Sequence, residues 1–112
     1  MSVVRRNETT PEPIAPGRQR YLVHTDDVMV VVIDFEDGPH AAPDPPHSHP
    51  HQQVTYVADG ELLFFLGDEP HALKTGDLIT VPPDVPHTIQ LKTARARLVD
   101  TFSPIREDFL RS

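Results

Sequence analysis

Cysteine is absent from this chain. That excludes a disulfide framework and a thiolate-ligated metal site, and it suits a reducing, cytoplasmic compartment. No stretch approaches the roughly 20 consecutive apolar residues a membrane-spanning helix needs, so no membrane partner is expected. The polar, proline-containing start has no apolar h-region and does not read as a secretory signal. Positive charge is scarce: ten Lys and Arg stand against seventeen Asp and Glu, a formal net charge of -7. A nucleic-acid partner would call for clustered Lys and Arg and is not expected. A small anionic ligand stays open, because one buried Arg decides that locally. Long helical stripes are missing too, since thirteen prolines and five glycines cut the 112 residues into short pieces. A chain of this length makes one domain with a real core, and short runs between turn residues predict an all-β sandwich or barrel.

The runs themselves are legible. Tyr21 to His24 predicts a short strand, and Val28 to Phe35 a longer β-branched one. A proline-rich loop, Glu36 to Pro46, follows. Gln53 to Ala58 and Glu61 to Leu66 predict two strands joined by Asp59-Gly60, the dipeptide that most strongly signals a tight hairpin. Gly67 to Pro70 reads as a turn and His71 to Lys74 as a short edge strand. Thr75-Gly76-Asp77 turns the chain into Leu78 to Val81, and Pro82 to Pro86 makes a rigid corner into His87 to Leu91. Ala96 to Phe102 is the last expected strand, and Arg106 to Leu110 has room for one helical turn. Residues 1–17, ending at Pro16-Gly17, read as a lead-in.

Histidines gather in one stretch, His47-Ser48-His49-Pro50-His51-Gln52-Gln53. Alternate residues of a strand share a face, so His47, His49 and Gln53 can point at one spot from an inward-facing barrel strand. His87 opens a distant strand that barrel closure can bring to the same place. Three imidazoles and one amide oxygen suit a divalent Zn, Ni, Fe or Mn ion with positions left open for substrate. A degenerate site that binds nothing is the plain alternative. His51 has the same parity, so spacing alone leaves it open as a ligand; Pro50 bends the chain there, which favours a place at the pocket mouth. His24, His40 and His71 fall in no pattern and are read as surface or supporting residues.

Near the C-terminus, Asp100 and Phe102 share a face. If that face is inward, a carboxylate stands inside a barrel that also holds a cation, placed to move protons on a bound substrate. Arg106 follows just past the strand, where its guanidinium fork suits a substrate carboxylate. The structural alternative is an Asp100–Arg106 ion pair pinning the tail.

Two motifs in order carry a family resemblance. The run His47-x-His49-x3-Gln53-x6-Gly60 resembles the first cupin motif, with Gln53 where Glu is usual. The run Gly76-x5-Pro82-x-Asp84-x2-His87 resembles the second, with Asp84 where Gly is usual. The resemblance implies a single-domain double-stranded β-helix, or jelly roll, over residues 19–112 with the metal in the barrel interior. Residues 1–18 would then be an N-terminal extension exchanged at the edge of a homodimer.

The phrase His-Ser-His-Pro-His-x-Gln, then Tyr-Val-x-x-Gly-Glu, and the tail Asp-x-Phe-Ser-Pro-x-Arg-Glu-Asp-Phe look like the small pectin-degradation cupins. In those a metal-bearing barrel converts unsaturated uronate monosaccharides to the linear ketonised form. The resemblance implies His47, His49, Gln53 and His87 as metal ligands, Asp100, Phe102 and Arg106 as active-site residues, and a small anionic sugar acid as substrate, an isomerase-type reaction in the cytoplasm. Gln52 departs from that subgroup's Glu and Ile105 from its second Pro. The alternatives are a mononuclear iron dioxygenase and a non-catalytic ligand-binding cupin.

Overall fold

The computed structural model describes residues 2–110; Met1 and Arg111–Ser112, the outer ends of the two expected spans, lie outside the described residues. The strands are β1 (Glu12–Ala15), β2 (Arg18–His24), β3 (Met29–Phe35), β4 (Gln52–Asp59), β5 (Glu61–Leu66), β6 (Glu69–Lys74), β7 (Leu78–Val81), β8 (His87–Leu91) and β9 (Ala96–Ser103). Short 3-10 turns lie at Arg6–Glu8 and Glu107–Leu110, the second of them where the tail was expected to turn. A six-stranded sheet runs β1-β2-β3-β9-β4-β7 and a three-stranded sheet runs β6-β5-β8, with every named pairing antiparallel. This is the expected jelly roll. The lead-in holds more than expected, because β1 pairs with β2 across the Pro16-Gly17 turn.

Inward and outward residues alternate along β4 and β9, as a sheet with one covered face requires. The main core joins Val57, Leu62, Phe64, Leu91 and Leu98 between the two sheets. Burying a side chain of that size contributes about 1.5–3 kcal/mol. A smaller cluster of Met29, Val31 and Phe102 receives Ile105 and Phe109 from the tail.

One expectation is corrected. Asp59-Gly60 does not close a hairpin, for β4 pairs with β7 and β9 while β5 pairs with β6 and β8. Both edges of β4 are already occupied, so the next strand cannot pair with it and crosses to the other sheet. Gly60 still has the positive φ expected of it, 101°, but for a corner. A Cβ there would come within 2.7 Å of the Arg95 carbonyl oxygen. The hairpin lies one turn later: Gly67-Asp68 joins β5 to β6, with Leu66 opposite Glu69.

The proline-rich loop is laid along the free edge of β8. His40, Asp44 and His47 donate their backbone N–H to the carbonyls of Leu91, Ile89 and His87, at 2.9, 3.1 and 3.0 Å. Prolines between these donors have no N–H to lose, so an irregular segment covers an edge that would otherwise be open. Arg18 bolts the loop down, with Nη1 and Nη2 on the Asp44 carboxylate at 2.7 and 3.1 Å and Nε on Asp37 at 3.0 Å.

Candidate metal centre and cavity

Three backbone hydrogen bonds bring the histidines together. His47 and His87 exchange N–H···O bonds of 3.0 and 2.9 Å, and Asp84 N–H donates to the His49 carbonyl at 2.8 Å. The second motif's corner is thereby zipped to the first motif's loop. Asp84 makes the fit possible by adopting φ 64°, the left-handed region that Asp tolerates better than most side chains. His47 and His49 therefore converge from a loop, not from strand parity as expected; β4 starts only at Gln52.

The ligand atoms of His47, His49 and His87 lie within 4.8 Å of one another, so three imidazoles could hold a metal ion. Their state suits it. His87 Nδ1 lies 2.8 Å from the Val85 carbonyl, which fixes its proton there and leaves Nε2 bare. That Nε2 is buried without a hydrogen-bond partner. Burial and then the neighbouring His49 and Arg106 push the His87 imidazole below the usual range, against the Val85 bond. His47 is at the rim, but its ring packs 4.3 Å from that of His87. Desolvation, then His87, His49 and Arg106, push it down to about 4. Both rings are neutral near pH 7, as a ligand must be.

Gln53 supplies a fourth donor in register. His49 Nδ1 is 3.1 Å from the His51 carbonyl, and its Nε2 is 2.9 Å from Gln53 Oε1. Gln53 Nε2 donates to Thr55 Oγ1 at 2.9 Å, which turns the amide oxygen, an acceptor only, toward His49. Both ring nitrogens of His49 thus face an oxygen acceptor, and a neutral ring has one proton to give, so one contact sets lone pair against lone pair; a cation shared by Nε2 and the Gln53 oxygen resolves that opposition. The residues present therefore fit a divalent ion bound by three imidazoles and an amide oxygen.

The same network reaches the last strand. Thr55 Oγ1 donates to Asp100 Oδ1 at 2.6 Å. Asp100 is buried, and desolvation raises its pKa to about 6 although the Thr55 bond and Arg106 oppose the shift. His47, Gln53, His87, Asp100, Phe102 and Arg106 stand in the wall of one cavity of about 430 Å³. Phe64 lies below, stacked on the His87 ring at 6.1 Å.

Arg106 is not paired with Asp100. Its Nε and Nη2 are held by Asp108 at 3.2 and 2.8 Å, and its guanidinium lies 5.2 Å from the Phe102 ring and 4.1 Å from the Phe109 ring. The fork expected to be free is thus occupied by an internal carboxylate. His51 is partly buried with its ring 5.4 Å from His49, outside the three-imidazole group. Gln52 is exposed on the outer face and does not reach the cavity. His40 is a supporting residue: Nδ1 accepts Leu91 N–H at 3.2 Å, and Nε2 is 3.1 Å from Asp37. His24 is exposed and His71 partly so, away from the site.

Reading the sequence missed Thr55, which the period-two face through Gln53 would have included. It also missed Arg18 and Arg20, inward-facing on a strand that begins earlier than its apolar residues suggest, and Phe109 in the tail.

The fold and the histidine cluster define a class. The Cupin domain family matches residues 33–102, and the chain belongs to the cupins. Within that family it is 36% identical over 106 residues, 93% of this chain and 94% of the relative, to the pectin degradation protein KdgF of Dickeya dadantii strain 3937. The structure of KdgF from Halomonas sp. superposes with a TM-score of 0.88 at 32% identity, covering 97% of this chain and 98% of that one. An RmlC-like cupin from Shewanella frigidimarina NCIMB 400 gives 0.85 at 36% identity, covering 95% and 93%. No helix among the described residues is long and apolar enough to cross a membrane.

Proposed function

We propose that this protein is a metal-dependent cupin of pectin or alginate breakdown that converts unsaturated uronate monosaccharides to their linear ketonised form. One observation carries the reading: a group of three metal-competent imidazoles, His47, His49 and His87, opens through His47 and His87 onto the cavity whose wall also holds Asp100, a buried carboxylate with a pKa of about 6. The similarity to KdgF supports the substrate class.

A divalent ion held by His47, His49, Gln53 and His87 would supply Lewis acidity toward substrate oxygens. The net reaction is an isomerisation. The hemiacetal hydroxyl at C1 loses its proton, the bond from C1 to the ring oxygen breaks, and C1 becomes an aldehyde. The ring oxygen keeps the electron pair as an enolate, which collapses to a ketone at C5 as C4 gains a proton. One proton leaves oxygen and one reaches carbon, a transfer that one carboxylate titrating near pH 6 can serve in both directions. Thr55 holds Asp100 in place for it through the 2.6 Å bond. Phe102 forms an apolar wall, and Arg106 sets a positive charge beside the cavity.

Metal-loaded protein added to lyase-generated unsaturated galacturonate or mannuronate is expected to accelerate loss of the ring-form absorbance. Loss no faster than in buffer overturns the assignment. Oxygen uptake by iron-loaded protein would favour the dioxygenase alternative instead. A cytoplasmic homodimer accompanies this reading, and a sedimentation mass of one chain would remove the dimer.

A further inference from the structure

Three arginines line the cavity, and their donors are spent very differently. Arg18 engages carboxylates through all three of its nitrogens, with Asp37 on Nε and Asp44 on Nη1 and Nη2, and Arg106 is held in bidentate fashion by Asp108. Arg20 makes one carboxylate contact, Nη2 to Glu12 Oε1 at 3.3 Å, and its Nε is buried with no partner. A guanidinium has five N–H donors in a fixed fork, and a buried one left unpaired is costly unless a ligand completes it. Arg20 sits on the inward-facing parity of β2 with Arg18 and Leu22, and its side chain is 15% exposed. The fork is also held in place. Its carbon lies 4.0 Å from the Phe109 ring, which takes Arg106 at 4.1 Å as well.

We propose that Arg20 receives the substrate's carboxylate, with Glu12 as a weak internal competitor and Phe109 as the residue that positions the fork. The identity of the carboxylate as a uronate rests on the function proposed above; the unspent donor does not. Arg106 then contributes field rather than direct contact, because its fork must first release Asp108. Glu12 is 56% exposed and holds Arg20 through a single long contact, so it is the easier of the two internal carboxylates to displace.

The test titrates zinc-loaded protein with D-galacturonate and with neutral D-galactose, reading affinity and the arginine Nε–H signals by NMR. Wild type is expected to prefer the uronate and to shift the Arg20 Nε–H signal. Arg20→Gln is expected to weaken galacturonate binding by about 10- to 100-fold and to erase the preference. Arg106→Gln should do less. Arg20→Lys, which keeps the charge and loses the fork, should fall between Arg20→Gln and wild type. Glu12→Gln should leave binding unchanged or tighter; weaker binding would mean that Arg20 serves only to hold β1. Amide spectra report folding of each variant, so Arg20→Lys carries the test if Arg20→Gln does not fold. No uronate preference in wild type, or a preference retained in the Arg20 variants, overturns the proposal. Uronate binding through Arg20 without turnover of the unsaturated sugar would remove the isomerase and keep this site. Turnover with an unchanged KM in Arg20→Gln would do the reverse.

Discussion

The two ends of the barrel are built by the same strands and obey opposite rules. Along β9 the inward residues run Ala96, Leu98, Asp100, Phe102; along β4 they run Val57, Thr55, Gln53 from the same end. One end is an apolar plug in which Val57, Leu62, Leu91 and Leu98 fill the space between the sheets. The other sets a carboxylate, a hydroxyl, an amide and imidazoles around a cavity, and leaves His87 Nε2 and Arg20 Nε unpartnered. The plug follows the rule that buried groups are apolar and packed. The open end breaks the rule that buried polar groups are satisfied, and such breaches concentrate where a ligand completes them. Stability and chemistry therefore lie about two residues apart on each strand, and substitutions should separate them.

The largest effect is expected at the plug. Leu62 is 1% exposed, and Leu62→Ala should lower unfolding free energy by about 2–5 kcal/mol through lost transfer energy and a residual cavity. Denaturant unfolding measures it. The loss should be the same with and without zinc, and zinc affinity per folded molecule should not change. A change in zinc affinity that tracks the loss of stability would mean the two ends are one mechanical unit.

Asp100 offers the opposite sign. Its pKa is about 6 in the folded chain against 3.8 for the free group. Below about pH 4 both states hold the proton and the shift has no effect on stability. Between about pH 4 and 6 the unfolded chain ionises and the folded one does not, so stability falls as pH rises, by about 3 kcal/mol once both have ionised. In metal-free protein, Asp100→Asn should remove that slope and be the more stable at pH 7 by up to about 3 kcal/mol, since the amide oxygen can still accept from Thr55. The same variant should lose about 100- to 10,000-fold in turnover. Parallel unfolding curves for the two proteins from pH 4 to 8 would show that burial does not strain this carboxylate. Full activity in Asp100→Asn would remove it from the reaction.

This contrast also explains what could be read from the sequence. Most strand positions and the shared face of Asp100 and Phe102 were legible because a covered sheet face imposes a period of two over many residues, whereas the jelly roll was legible only through the resemblance to cupins, and β1 was missed. The meeting of His87 with His47 and His49 was legible only through the two motifs, for nothing local to residue 87 encodes a bridge forty residues away. The Asp59-Gly60 hairpin failed for a related reason. Turn chemistry reports local φ, whereas pairing depends on which edges distant strands have already taken. Arg20 and Arg106 show a third limit: a sequence shows which arginines could bind an anion, not which are already neutralised by a neighbour.

The smallest expected effect tests how tightly the two motifs are joined. Asp84 stands at φ 64° in the corner that leads into His87 and donates its N–H to the His49 carbonyl at 2.8 Å. Asp84→Gly removes the side-chain strain of that conformation but adds freedom to the unfolded chain, so the two terms nearly offset. Stability should rise by less than about 1 kcal/mol, with zinc affinity unchanged. Asp84→Val cannot offset the strain, because a β-branched side chain tolerates positive φ poorly, and should cost about 1–3 kcal/mol. If the corner sets the His49 backbone, the valine variant should also bind zinc more weakly than its lost stability alone explains. Equal zinc affinity in all three proteins, measured against a competing chelator, would show that the exchange of bonds between His47 and His87 is enough to place the imidazoles without Asp84.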